Sequence, residues 1–375
     1  MLGKTAPNLR LERLTMPNQR HDPNRREIIK GIGLGIFGLA AGGLSVRPSK
    51  VFAQASSGEI RQSAKRQLWT KPTEPARVSL IKGSDRREIV FQALKNIEDE
   101  VLASIGKKKR ILVKPNFVVT NTELCATHVD AVRAILDFLK PRCKQEIIVG
   151  ESTASRDGTF EGYKNYGYMP LEKEYGIKLV DLNRESFQWR YAIGKGNRPM
   201  PLRIISMFLD PDVYVISAAK IKTHDRVLAT LSLKNVLLAA PVNDYQNSDK
   251  RQMHSDNAFT RDTLLHYNMF QLAQEIYPDL GVIDGFVAME GDGPVNGTPV
   301  EAKLALASID PLAMDVLTTK LMGFDPSQIM YLAAMTEAGM GQGDLSKVQV
   351  LGTPADQCQY HFKPARQLVG AYGLG

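Results

Sequence analysis

Cysteine is scarce. The 375 residues hold three, at Cys125, Cys143 and Cys358. No Cys-x-x-Cys pair occurs, which excludes cysteine-ligated zinc ribbons and a ferredoxin-type iron–sulfur cluster within this chain. Cys125 and Cys143 fall near the two ends of one expected helix, a placement that disfavours a bond between them. Several catalytic signatures are missing as well. There is no His-Glu-x-x-His metal spacing, no Gly-x-Ser-x-Gly nucleophile elbow, and neither a P-loop nor an EF-hand. No Gly-x-Gly-x-x-Gly fingerprint follows the first expected strand. No apolar run reaches the ~20 residues of a membrane-spanning helix. A large excess of one charge is also absent once the N-terminus is set apart. The chain carries 48 Lys and Arg against 40 Asp and Glu, a net +8. Residues 1–55 hold nine basic and three acidic residues, so only +2 remains for 56–375. That near-neutral balance, with no basic-aromatic motif, argues against nucleic-acid binding.

What is present begins with an address. Arg25 and Arg26 precede an apolar, glycine-rich run from Gly31 to Val46, and Ala53-Gln54-Ala55 supplies a small-residue cleavage site. The paired arginines predict a twin-arginine signal over residues 1–55, cleaved after Ala55. A periplasmic or otherwise exported protein follows, with the twin-arginine machinery as a partner and no stable membrane span after cleavage. An uncleaved anchor and a buried glycine-rich helix are the competing readings. The glycines and the shortness of the run weigh against both.

Residues 56–76 are polar, hold two prolines and read as a linker. From Arg77 on, runs rich in Val and Ile alternate with longer amphipathic stretches, the pattern of β-α-β units. The expected fold class is α/β: a Rossmann-like, mostly parallel sheet with helices on both faces, over 77–375, with a division into two lobes near 200 left open. Strands are expected at 78–82, 110–114, 146–150, 177–181, 213–217, 281–283, 304–308 and 348–351. Helices are expected at 85–105, 128–140, 159–175, 228–239, 262–277 and 311–322. Thr127 is placed to cap the second of these and Asp310 the last.

In open α/β sheets ligands bind beyond the carboxyl ends of the strands. Six expected strand ends are followed by polar or charged residues: Lys114-Pro115-Asn116, Glu151-Ser152, Asp181, Lys220 to His224, Asp284 and Asp310. Some of these serve as helix caps, Asp310 and Glu151-Ser152 foremost. The densest cluster is Lys220-Ile221-Lys222-Thr223-His224. On an extended chain, residues 220, 222 and 224 share a face, and their charges repel unless an anion or carboxylates lie among them. The cluster follows the apolar run Val213–Ala218, so a buried position is favoured over a lysine-blunted sheet edge. Lys234-Asn235, then Lys250, Arg251 and His254, come later. His224 and His254 are the better acid–base candidates among six histidines. Residues 284–299, DGFVAMEGDGPVNGTP, combine four glycines with Asp284, Glu290 and Asp292. The acids are candidate ligands for a divalent metal, the glycines could admit a phosphate, and a plain turn-rich loop is the bland alternative.

Six segments carry a resemblance: ILVKPNFV (111–118), AAKIKTH (218–224), LSLKNVLLAAP (231–241), His254, PDLGVIDGFVAMEGDGP (278–294) and ASIDPLAMD (307–315). Together they resemble the bacterial and archaeal family numbered 362 among the domains of unknown function. The resemblance implies a Rossmann-like domain and attaches no activity. Many members carry an added iron–sulfur module, which is missing here. Their pattern usually has a glycine shortly after the Lys-Asn pair, where this chain has Ala239 and Ala240.

The expected function is an exported enzyme acting on a small anionic substrate, a carboxylate or a phosphate. Lys222, His224, Lys234 and His254 are the catalytic candidates. Lys114, Asn116, Asn235 and Glu151 are the substrate-binding candidates. The alternative is a periplasmic protein that binds an anion or metal chelate without catalysis.

Overall fold

The structure is a computed structural model, and it describes residues 69–244, 247–254 and 259–374. The arginine pair, the apolar run and the expected cleavage site lie outside the described residues, as do 56–68 of the expected linker. The rest of that segment belongs to the domain. Trp69 packs on Tyr277 with ring centroids 5.0 Å apart, and the first strand starts at Ala76. The described residues fall within one compact unit.

Twelve strands are described: β1 (Ala76–Lys82), β2 (Arg110–Lys114), β3 (Glu146–Glu151), β4 (Lys178–Asp181), β5 (Phe187–Gly194), β6 (Arg198–Ile205), β7 (Val213–His224), β8 (Leu228–Thr230), β9 (Leu280–Asp292), β10 (Asn296–Val300), β11 (Leu304–Ser308) and β12 (Val348–Gly352). Ten form one sheet in the order β12-β1-β11-β9-β7-β2-β3-β4, with β10 paired to β9 and β8 to β7. The run β9-β7-β2-β3-β4 is parallel throughout, while β11 is antiparallel to both β9 and β1. This is an α/β fold on a mixed, mostly parallel sheet.

The helices are α1 (Arg86–Lys95), α2 (Glu98–Ile105), α3 (Val129–Leu139), α4 (Thr159–Asn165), α5 (Leu171–Tyr175), α6 (Ser232–Leu237), α7 (Asp249–Gln252), α8 (Leu264–Ala273), α9 (Pro311–Leu321), α10 (Met330–Glu337) and α11 (Val369–Tyr372). They cover both faces, because successive strand side chains point to opposite sides. Ile111, Val113, Ile147 and Val149 pack with α1 to α4. Leu112, Ile148, Val213 and Val215 pack with α6, α8, α9 and α10. Each parallel strand is thus apolar on both sides, as a doubly covered sheet requires.

The strand order holds a reversal that locates the site. From β2 the chain steps outward to β3 and β4, then returns to lay β7 and β9 on the other side of β2. The carboxyl ends of β2 and β7 therefore diverge at a topological switch point, where such sheets open a crevice. Strand β7 is buried over its whole length and is flanked by β2 and β9, so Lys220 to His224 are interior.

Several expected elements change. The stretch 228–239 is not one helix. Leu228 sits at φ 66°, β8 folds back on β7 with Thr230 opposite Lys222, and α6 begins only at Ser232. The stretch 85–105 breaks at Asn96-Ile97, and 159–175 breaks at Gly167, whose φ is 75°. His128, not Thr127, caps α3, its Nδ1 accepting from Asp130 N at 3.1 Å. Thr127 instead ties β2 to β7: its Oγ1 accepts from Asn116 N and donates to Ala218 O. Residue 200 lies inside the β5–β6 ribbon, whose outward face carries the exposed rings of Phe187, Trp189 and Tyr191.

Candidate functional site

Lys114 ends β2, Glu151 ends β3 and His224 ends β7, so the parallel arrangement brings all three to one edge of the sheet. Helix α6 adds Lys234 and Asn235, and the segment from α7 adds Lys250 and His254. Together they line a half-open cavity of about 160 Å³, bounded also by Phe117, Thr230, Leu238 and Pro294.

The first part of the site is a hydrogen-bonded floor. Lys114 Nζ donates to Glu151 Oε2 (2.9 Å), Asn235 Oδ1 (2.9 Å) and Pro115 O (2.6 Å). Glu151 also accepts from Phe117 N (2.7 Å) and Ser152 N (2.6 Å). Asn116 Nδ2 donates to Asn235 Oδ1, and Asn235 Nδ2 donates to Lys114 O and Ser217 Oγ. Lys222 stands behind this floor, off the cavity wall, donating to Asn116 Oδ1 and Cys125 O. Lys250 donates to Ser152 Oγ, Leu238 O and Ala239 O, a cation set on the carbonyls that follow α6.

An ammonium has three donors. Those of Lys114 and Lys250 are each matched by three acceptors, and Lys222 has two. Lys234 differs. It is 6% exposed and lines the cavity, yet no acceptor lies within hydrogen-bond distance of its Nζ among the described residues. Thr230 Oγ1, also on the wall and buried, has no partner either. Burial drives Lys222 and Lys250 down to about 7 and Lys234 to about 8. Desolvation also lowers Lys114, which Glu151 opposes. Four lysines thus crowd around one directly bonded carboxylate, a positive, water-poor site that favours an anion.

The two histidines face each other, ring centroids 6.3 Å apart and planes 20° from parallel. Their hydrogen bonds assign opposite tautomers. His224 Nδ1 accepts from Arg226 N at 3.0 Å, so its proton sits on Nε2. Asp225 Oδ1 lies 3.2 Å from the same Nδ1. Burial, with Lys234 and His254 beside it, holds the His224 pKa well below the usual value and keeps the ring neutral. His254 Nδ1 contacts Lys250 O at 3.0 Å; a carbonyl only accepts, so Nδ1 carries the proton. In the neutral ring that leaves Nε2 as an acceptor. One ring offers a proton donor and the other a base, the pairing general acid–base chemistry needs.

The acidic loop is arranged differently. Asp284 is buried and pairs with Arg86 at 3.3 Å, Glu290 with Lys363 at 3.6 Å and Asp292 with Arg366 at 2.7 Å. Three separate cations hold the three acids, and among the described residues no group of three or more His, Cys, Asp or Glu could hold a metal. The glycines serve close packing here. A Cβ on Gly293 would lie 2.1 Å from Thr223 O, because the β9–β10 turn rests on the end of β7 and sets Pro294 into the cavity wall. Gly293→Ala should therefore cost about 1–3 kcal/mol through overpacking. A urea midpoint equal to that of the wild type would show that the turn is free to shift.

Of the sequence candidates, Lys114, Asn116, Glu151, His224, Lys234, Asn235 and His254 meet at the cavity, and Lys222 supports it from behind. Lys250 was visible as a basic residue without a role. Thr230 was hidden inside an expected helix, and only the pairing of β8 with β7 turns it toward the site.

Comparison with known proteins decides the lineage. The family described as "Domain of unknown function (DUF362)" matches residues 111–320, over half of the chain and every cavity-lining residue named above. The chain belongs to this DUF362 family. A curated relative, "Thylakoid-associated protein sll1697" from Synechocystis sp., is 30% identical over 235 residues, covering 62% of this chain and 68% of that protein. A crystal structure of a Thermotoga maritima protein superposes with a TM-score of 0.40 at 12% identity. That alignment covers 69% of this chain and 60% of the other, so the chain spans less than two thirds of that protein.

Proposed function

We propose that this DUF362 protein is an enzyme acting on a small anionic substrate, a carboxylate or phosphate, held in the cavity beyond β2, β3 and β7. The single observation that carries this reading is Lys234, a buried lysine on the cavity wall whose Nζ meets no hydrogen-bond acceptor among the described residues, with only the longer-range charge of Asp225 offsetting its burial. A buried ammonium without a partner is costly, and a bound anion relieves that cost. His224 Nε2–H offers one more donor to the same ligand. His254 supplies the base that distinguishes an enzyme from a simple binder. The protein acts after export. The arginine pair, apolar run and Ala53-Gln54-Ala55 support a twin-arginine signal over 1–55 and a periplasmic or otherwise exported location.

The test is solvent exchange. Lactate, pyruvate, malate and 2-phosphoglycerate are each incubated with the protein in D2O, and carbon-bound deuterium is followed by NMR. At least one should exchange, and His254→Gln should slow it about 100-fold or more, the usual contribution of a positioned acid or base. Lys234→Met should weaken anion affinity at least tenfold, read as the loss of a ligand-induced thermal shift. Thermal shifts without exchange would identify a binding protein. Neither shift nor exchange with any of these anions would overturn the anion site.

A further inference from the structure

The cavity holds more than an anion site requires, and Lys234 is where the surplus lies. The usual buried lysine spends its three donors on carbonyls or a carboxylate, as Lys114 and Lys250 do here. Such a nitrogen has no lone pair to offer. Lys234 Nζ makes no such bonds among the described residues and stands at the wall of a small half-open cavity, where burial and the Lys114 cation from β2 favour its neutral form against the opposing charge of Asp225. Desolvation and neighbouring cations are the two conditions that turn a lysine into a nucleophile. We infer that Lys234 forms an imine with the carbonyl carbon of a small 2-oxo acid bound in this cavity.

The geometry supplies each further part. His224 Nε2–H is a donor for the carboxylate or the carbonyl oxygen. About 160 Å³ suits a short-chain acid. His254 Nε2 is the base. The amine nitrogen attacks the carbonyl carbon, and the π pair moves to oxygen. His254 takes a proton from nitrogen and returns it to that oxygen, giving the carbinolamine, and then moves the second amine proton to the hydroxyl. The carbon–oxygen bond then breaks, water leaves, and the nitrogen lone pair closes the C=N bond. Amine and carbonyl give imine and water, with no oxidant or reductant. The imine draws electrons from the adjacent carbon and so acidifies its C–H bonds, the chemistry a neighbouring base can use.

This inference rests on the anion reading, and the experiment separates the two. The protein is incubated with pyruvate or glyoxylate, reduced with borohydride, and analysed by intact mass and peptide mapping. The expected product is a chain heavier by the oxo acid less one oxygen atom, modified at Lys234. Excess oxalate should suppress it, and Lys234→Arg should abolish it. An unmodified chain that still shows a thermal shift with pyruvate would overturn the imine and leave the anion site standing. Modification spread over other lysines and indifferent to oxalate would also overturn it. Absence of any shift with oxalate, pyruvate or phosphate would overturn the anion site itself.

Discussion

Glu151→Gln should lower the free energy of unfolding by about 3–5 kcal/mol, the range for stranding one member of a buried ion pair. The carboxylate is 1% exposed and faces Lys114, itself 1% exposed. It is also the acceptor for the amides of Phe117 and Ser152. Glutamine keeps one acceptor oxygen but brings two N–H donors to a position surrounded by donors, and it removes the negative charge that offsets Lys114. A second substitution separates these effects. In Glu151→Gln combined with Lys114→Met, no buried charge is left without its partner, so much of the loss should return. A double-mutant cycle on urea midpoints reads the coupling. A single mutant within 1 kcal/mol of the wild type would mean that Lys114 sheds its proton cheaply and that the pair is not what holds the crevice floor. Full additivity in the cycle would say the same.

The sequence told most about position and least about connection. The long apolar stretch at 213–218 marked β7 as interior, as found, whereas the register shift between Lys220 and Lys222 interrupts the plain alternation expected for 220, 222 and 224. The parallel β-α-β pattern located the crevice because strand ends follow from strand direction alone. Lys222 could not be told from Lys234 in this way. Both are basic, close in sequence and buried. What separates them is that Asn116 and Cys125 O meet one, while no acceptor among the described residues meets the other. That is a matter of long-range packing, which no local pattern encodes. The acidic loop misled for the same reason. Asp284, Glu290 and Asp292 lie together in sequence, but their partners Arg86, Lys363 and Arg366 come from opposite ends of the domain. The β5–β6 ribbon is not among the expected strands, and its second strand holds Pro199 and Pro201. A two-stranded ribbon tolerates proline where the N–H is not needed for pairing.

Without a ligand, stability should climb as pH rises from about 8 to about 9. Folded Lys234 titrates near 8, and Lys222 and Lys250 near 7, whereas an unfolded lysine titrates near about 10.4. In that window the unfolded chain binds protons that the folded chain has released, so the unfolding free energy increases with pH. Each lysine contributes at most about 1.4 kcal/mol per pH unit, and a combined slope of at least about 1 is expected. Below the folded values both states are protonated, and the full penalty of burying the charges remains. Asp315, which burial raises to about 8, acts in the opposite sense. Its contribution falls as pH rises from the ordinary carboxylate range through 8, and it is flat above. Cys143 and Cys358, which burial raises, oppose the lysines in this window, and toward pH 10 the buried tyrosines that desolvation raises oppose them more strongly, so the rise belongs to pH 8–9. An anion in the cavity should reverse the trend, because it favours the ammonium forms. With saturating phosphate or oxalate the slope should flatten, and by linkage the affinity should fall as pH rises, up to about tenfold per unit for each proton taken up. Urea midpoints at pH 8, 8.5 and 9, with and without the anion, measure both effects. Equal slopes with and without ligand would mean that the buried lysines do not share their charge with anything the cavity binds, and the anion site would fall with that result.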